Sequence, residues 1–336
     1  MTVLKRFFLG ALACLFVSLP APGHAGQPDW SKVSVTRVIL FYPGVTSWEF
    51  LTSDDHRLGG REIKRTSKDC KHCHLSKDGE LDLKVDEIAS GSIRMKRSHN
   101  AFEPEPTPGK KGTMRAAVSA AYDEEFLYFR FEWDSRGSGW LGKPGGIPDR
   151  VSVQINKAEP AFRKYGCFIT CHNDLNTMPE SPSVKVVAGD RFYKSRERDD
   201  VRLYAYYAKS SWSDKKSDAE LGKLLKEGAR IDLVSIEFIN GKSLLDEGWV
   251  FDDRVLERKA AADSPGSFTA GKYAAVFKRR LVTGDPHSVS LKPGDVFSIG
   301  VAIHEDGASK RKHYVSFPMS VGLGTSADIK AERVSR

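Results

Sequence analysis

Phe126-Leu127-Tyr128-Phe129-Arg130-Phe131-Glu132-Trp133 is the stretch on which the fold turns. Leu127, Phe129, Phe131 and Trp133 fall on one side of an extended chain. Phe126, Tyr128, Arg130 and Glu132 fall on the other. That period of two is the signature of a strand with one face turned to a core. Residues 151–155, 201–208, 231–239, 273–281, 296–304 and 314–317 read the same way. Turn-rich separators lie between them, at 103–112, 136–149 and 180–182. One helix is predicted. Ser217 and Glu220 make a capping box, Leu221, Leu224 and Leu225 share a face, and Gly228 ends it. Many strands and little helix predict an all-β chain built as an antiparallel β-sandwich.

The 336 residues are 40% hydrophobic, enough for a real core, so a disordered chain is excluded. Gly and Pro are ordinary in number, which excludes a collagen-like or low-complexity chain. The formal charge of +8 suits docking onto acidic partners. There is no Gly-rich phosphate loop, metal-hydrolase motif or catalytic triad in the sequence.

Residues 1–25 follow the grammar of a secretory signal peptide. Lys5 and Arg6 precede an apolar run over 7–19, and Pro20, Pro22 and Gly23 lead to a cleavage site after Ala25. The run is short for a membrane span, which needs about 20 residues. Loss of Lys5 and Arg6 would leave a charge of +6. The expected product is a soluble periplasmic protein with no transmembrane segment.

Cleavage would also remove Cys14, leaving Cys70, Cys73, Cys167 and Cys171. Each pair is followed directly by histidine. Cys70-Lys71-His72-Cys73-His74 is the C-x-x-C-H of c-type haem attachment. Cys167-Phe168-Ile169-Thr170-Cys171-His172 has one more residue between its cysteines. Two thiols bond the two vinyl groups of one porphyrin, and the adjacent imidazole binds its iron. Disulfides are a weaker reading, because such short loops are strained. Structural zinc seldom has His directly after the second Cys of both pairs. A thioredoxin-like redox pair needs a βαβ context that is missing here. The expected cofactors are therefore two covalently attached haem c groups. Residues 46–100 are polar and aperiodic, which suggests a small haem-carrying segment of loops and short helices packed on the sandwich. The expected organisation is 1–25 signal peptide, 26–112 first strand and first haem segment, and 113–330 sandwich with the second haem.

Gly166-Cys167-Phe168-Ile169-Thr170-Cys171-His172-Asn173-Asp174, with Met178-Pro179 after it, resembles the haem loop of c-type cytochromes related to the ethylbenzene dehydrogenase haem subunit. Ala121-Tyr122-Asp123 leading into 127–131 resembles an early strand of that family. His313-Tyr314-Val315-Ser316-Phe317-Pro318, followed by Gly322-Leu323-Gly324, resembles its closing strand. The resemblance implies an immunoglobulin-like β-sandwich that holds haem at one end of its sheets. It implies exported electron-transfer proteins serving molybdenum oxidoreductases, quinol-oxidising cytochromes or other cytochromes, with no nucleic-acid partner. The dehydrogenase subunit itself holds a non-covalent b-type haem; this chain differs by its attachment cysteines and by the added 70–74 site.

His74 and His172 are the expected proximal ligands. For the far side of the first iron the resemblance favours His56, with His99 as rival. For the second it favours His313, with His304 and Met178 as rivals. His72, inside the attachment loop, is expected to be a surface imidazole. Trp133, Trp140, Trp212 and Trp249 read as core or rim aromatics, and the basic runs 278–280 and 310–312 as solvated faces. Two other functions stay open: a haem enzyme with one open iron position, and a haem-based sensor or binding module.

Overall fold

The computed structural model describes residues 26–42, 56, 59–93, 109–142, 146–170, 205–210, 215–259, 265–305 and 313–335. The expected signal peptide, His99, Met178 and Trp212, the run 310–312, and Cys171 and His172 lie outside these residues.

Thirteen strands form one continuous sheet. In chain order they are β1 (Thr36–Phe41), β2 (Thr113–Tyr122), β3 (Phe126–Asp134), β4 (Asp149–Asn156), β5 (Ile231–Ile239), β6 (Lys242–Val250), β7 (Arg254–Arg258), β8 (Gly266–Thr269), β9 (Lys272–Arg280), β10 (Val296–His304), β11 (Tyr314–Ser316), β12 (Met319–Leu323) and β13 (Ile329–Arg333). The strand order is β7-β6-β5-β4-β10-β11-β1-β2-β3-β9-β8, and every pairing on this path is antiparallel. The sheet folds back on itself as a sandwich. Phe129 of β3 meets Phe297 of β10 with ring centroids 6.4 Å apart, and Trp133 meets Phe238 of β5 at 5.8 Å. Leu127, Phe129, Phe131 and Trp133 are all buried, as their alternation predicts. Each such side chain contributes about 1.5–3 kcal/mol by leaving water.

The all-β expectation holds, and its departures have physical causes. β2 (TMRAAVSAAY) carries no large alternating side chains. Its alanines face bulky partners: Ala116 stands opposite Trp133 and Ala120 opposite Phe129. The core volume there comes from β3, so small residues suffice. β13 pairs in parallel with both β12 and β2, where it bridges the end of the sandwich and covers strand edges. The strand expected over 201–208 is not one where it is described. Tyr206–Ala208 is a 3₁₀ turn, held by the Ala205 N–H on the Phe251 carbonyl at 2.8 Å. Tyr207 and Ala208 are buried in a turn, which periodicity alone cannot distinguish. The run 278–280 is not wholly solvated. Strand alternation turns Arg279 inward, where it is buried and ion-paired with Asp232 at 2.5 Å.

Helices are few and short: α1 (Gly59–Arg65), α2 (Cys70–His74), α3 (Val85–Ser90), α4 (Pro160–Tyr165) and α5 (Asp218–Lys226). The first three lie in the polar segment. α5 carries the predicted capping box between Ser217 and Glu220, with Gly228 beyond its end at φ +87°. Ile63, Cys70 and Val85 of that segment join Phe41, Phe162, Tyr165, Cys167 and Phe317 in a second apolar core, distinct from that between the sheets.

Candidate cofactor sites

The first site is built on α2. Asp69 caps this helix by accepting from the His72 N–H at 3.2 Å, and the Asp69 N–H donates to His72 Nδ1 at 3.2 Å. His72 is thus exposed, as expected, but it also holds the helix that presents the cysteines. Cys70, at the start of the helix, is buried, and Cys73, one turn on, lies at the surface. Burial pushes the Cys70 thiol up to about 12, with Asp69 adding to the shift. His74, at the end of α2, faces His56. Their ring centroids are 6.0 Å apart and the planes differ by 12°. Metal–imidazole bonds run about 2.0–2.1 Å, so two imidazoles on opposite sides of one ion stand about 6 Å apart, centroid to centroid. Burial lowers the His74 pKa, against a hydrogen bond with the Asp82 backbone, and neighbouring His56 lowers it further. That favours the neutral imidazole, the form that binds metal.

Gly59 backs His56. A Cβ added to Gly59 would lie 2.9 Å from His56 Cε1, so only glycine leaves room for the ring. The Gly59 N–H also donates to the His56 carbonyl at 2.7 Å.

The second site lies on the face of β4, β5 and β10. Glu159 caps α4, whose end delivers Cys167 into the core through a 3₁₀ turn, Gly166–Ile169. Gly300 of β10 admits it: a Cβ there would lie 3.2 Å from the Cys167 backbone nitrogen. Thr170 Oγ1 ties the loop down by donating to Gln154 Oε1 at 2.9 Å. A small cavity of about 90 Å³ is lined by Cys167, Gly300, His304 and His313, with Leu233, Val250 and Leu256 as apolar wall. Arg254, and Arg150 with its ion-pair partner Glu237 behind it, also line the cavity.

His304 ends β10 and His313 precedes β11. The register Ala302↔Val315 and Ile303↔Tyr314 carries the two histidines into direct opposition, and their rings stack at 4.4 Å with planes 21° apart. That spacing is too close for one ion between them. His313 is only 2% exposed, so it is no surface residue of a basic run.

A family profile described as ethylbenzene dehydrogenase matches residues 27–199. The chain belongs to this family. Cytochrome c-552 of Stutzerimonas stutzeri is 29% identical over 314 residues, covering 92% of each chain. Cytochrome c-551 of Rhodocyclus tenuis is 22% identical over 303 residues, covering 88% of this chain and 95% of the other. The expected kinship, with c-type cytochromes related to the ethylbenzene dehydrogenase haem subunit, stands on these matches.

The residues present fit the haem c such cytochromes carry. At the first site two thiols lie on one helical turn beside a pair of opposed imidazoles at metal-spanning distance. At the second, Cys167 and two histidines share a largely apolar cavity whose Arg254 suits a carboxylate-bearing ligand. Sequence reasoning missed Gly59 and Gly300, which make room for His56 and Cys167, and Asp82, whose backbone meets His74. A glycine three residues after a histidine is the one faint signal among them.

Proposed function

We propose that this member of the ethylbenzene dehydrogenase family is an exported, periplasmic c-type cytochrome with two covalently attached haems, relaying single electrons between redox proteins. The observation that carries this reading is the His56–His74 pair, parallel and 6.0 Å apart beside a C-x-x-C-H turn. Bound haem supplies a one-electron ferric/ferrous couple. The chain does the rest. Cys70 and Cys73 at one site, and Cys167 and Cys171 at the other, hold the porphyrin edges through thioether bonds. His74 and His56 at one site, and His172 and His313 at the other, would hold the iron, and an iron whose protein ligands are all in place reorganises little between its two charges. Bis-imidazole ligation favours a lower potential than a His/Met pair. Cys70 and Cys167, the first cysteine of each motif, sit in the apolar core with Phe41, Phe162, Tyr165 and Phe317. Among the described residues no helix is long and apolar enough to cross a membrane.

Partners of this chemistry are a molybdenum oxidoreductase, a quinol-oxidising cytochrome or another cytochrome. The test is intact mass with a pyridine haemochrome assay. Two porphyrin masses on a chain beginning at Gly26 are expected; one would remove the claim on Cys167, Cys171 and His172. Rapid carbon monoxide binding to the wild type would favour an open-site enzyme instead.

A further inference from the structure

Lys164 is the fifth residue of α4, three before Cys167. Its Nζ donates to the carbonyl oxygens of Ile63 and Thr66, both at 2.8 Å. α1 ends at Arg65, so these are carbonyls from its last turn and just beyond it. The last four carbonyls of a helix have no partner within it. An ammonium there satisfies them and complements the negative end of the helix dipole. The other end of α1 is the Gly59 that backs His56. Lys164 therefore grips the helix whose first residue packs against the His56 ring.

The same residue reaches the attachment side. Cys70 Sγ lies 3.3 Å from the Lys164 carbonyl oxygen. In a thioether that sulfur has no proton to donate, so this contact persists only as packing, while the two Nζ bonds are independent of attachment. Three residues further along the backbone, Cys167 enters the second site. One side chain and one carbonyl thus touch α1 and α2 from a position three residues ahead of Cys167, beside an apolar core that includes Ile63, Cys70, Tyr165 and Cys167.

We propose that Lys164 is the positioning residue that fixes the first cofactor site on the second, so that the two covalently held groups sit at one set separation and sense each other's charge. This rests on the two-haem reading above. Charge added at one centre then changes the electron affinity of the other by a factor fixed by that separation.

The test uses the full holoprotein with Lys164→Met, which keeps the stem but no donor, Lys164→Gln, and Lys164→Arg, which keeps charge and donors. Haem content by pyridine haemochrome comes first, then a reductive titration followed optically and by electron paramagnetic resonance, with amide exchange of α1. Coupling between sites is commonly a factor of about 5 or more. Lys164→Met or Lys164→Gln, with both haems retained, is expected to lose most of the wild-type factor and to exchange α1 amides faster; Lys164→Arg is expected to restore both. Unchanged coupling in either neutral variant with full haem overturns the proposal. So does failure of both to hold two haems, because a positioning residue must leave both sites formed. A wild type with one haem would instead refute the two-haem reading, whatever the variants do.

Discussion

His304 and His313 lie directly opposite one another across β10 and β11, ring on ring at 4.4 Å, at the wall of the cavity that Cys167 enters. On the proposed two-haem reading, only one of them takes the far side of an iron held by His172. The other is left as a stacked support. His313 is the more deeply buried and is assigned the ligand role. His313→Ala should turn one of the two haems high-spin and open it to carbon monoxide, leaving the other unchanged. His304→Ala should leave both low-spin and shift only the second potential. The ferrous optical spectrum with and without carbon monoxide decides; the reverse pattern would hand ligation to His304.

The first site offers a steric test. A methyl group at Gly59 would sit 2.9 Å from His56 Cε1. Overpacking of this kind typically costs about 1–3 kcal/mol. Gly59→Ala should lose stability in that range in denaturant titration. It should also produce a high-spin fraction at the first haem, since His56 yields before the helix does. Gly222 of α5, which has open space around it and no left-handed φ, is the control for replacement alone. A low-spin Gly59→Ala protein would show that His56 is not held as described.

Lys71, inside the C-x-x-C-H turn, pairs with Asp328 at 2.9 Å, and Asp328 also accepts from the Ser320 N–H and hydroxyl at 2.8 and 2.9 Å. Burial alone would raise the Asp328 carboxyl. The Ser320 N–H and the Lys71 ammonium outweigh it and hold the pKa below the usual 3.8. A folded pKa below the unfolded one gives stability that is complete above about pH 4 and is lost as pH falls through the folded value. Docking of α2 should therefore loosen in acid. Asp328→Asn should weaken that docking at neutral pH and flatten the acid limb of the stability profile. An acid limb identical to wild type would exclude Asp328 as its source.

Chemistry was legible in the sequence where one residue type announces a role. The Ser217–Glu220 cap read directly, as did strands such as β3, β5 and β10 whose large side chains alternate, and the cysteine–histidine motifs pointed to the family that the chain matches. β2 was not legible, because its alanines matter only opposite Trp133 and Phe129. Nor was Lys164, which looks like any surface lysine until the end of α1 is brought within reach of its ammonium. Arg279 misled for a related reason. A run of three basic residues reads as solvated, but a strand must turn its middle residue the other way.

That inward turn gives the last prediction. Asp232 of β5 and Arg279 of β9 are both buried and pair at 2.5 Å. The Val289 backbone closes the group: its N–H donates to Asp232 Oδ1 at 2.9 Å, and its carbonyl accepts from Arg279 Nη2 at 2.5 Å. Burial raises the Asp232 pKa against the pull of Arg279, and lowers that of Arg279 against the pull of Asp232, so desolvation opposes charge on both partners. Removing one partner leaves the other charged and unpaired in the interior, at a cost of about 3–5 kcal/mol. Asp232→Leu and Arg279→Met should each lower stability by that amount. Combined, they should cost far less than the sum, since neither charge then remains to be desolvated, and a well-packed apolar pair can match an ion pair. Denaturant unfolding of the four proteins closes the cycle. Additive losses would mean that the two residues act independently and that the pair is not what braces this side of the sandwich.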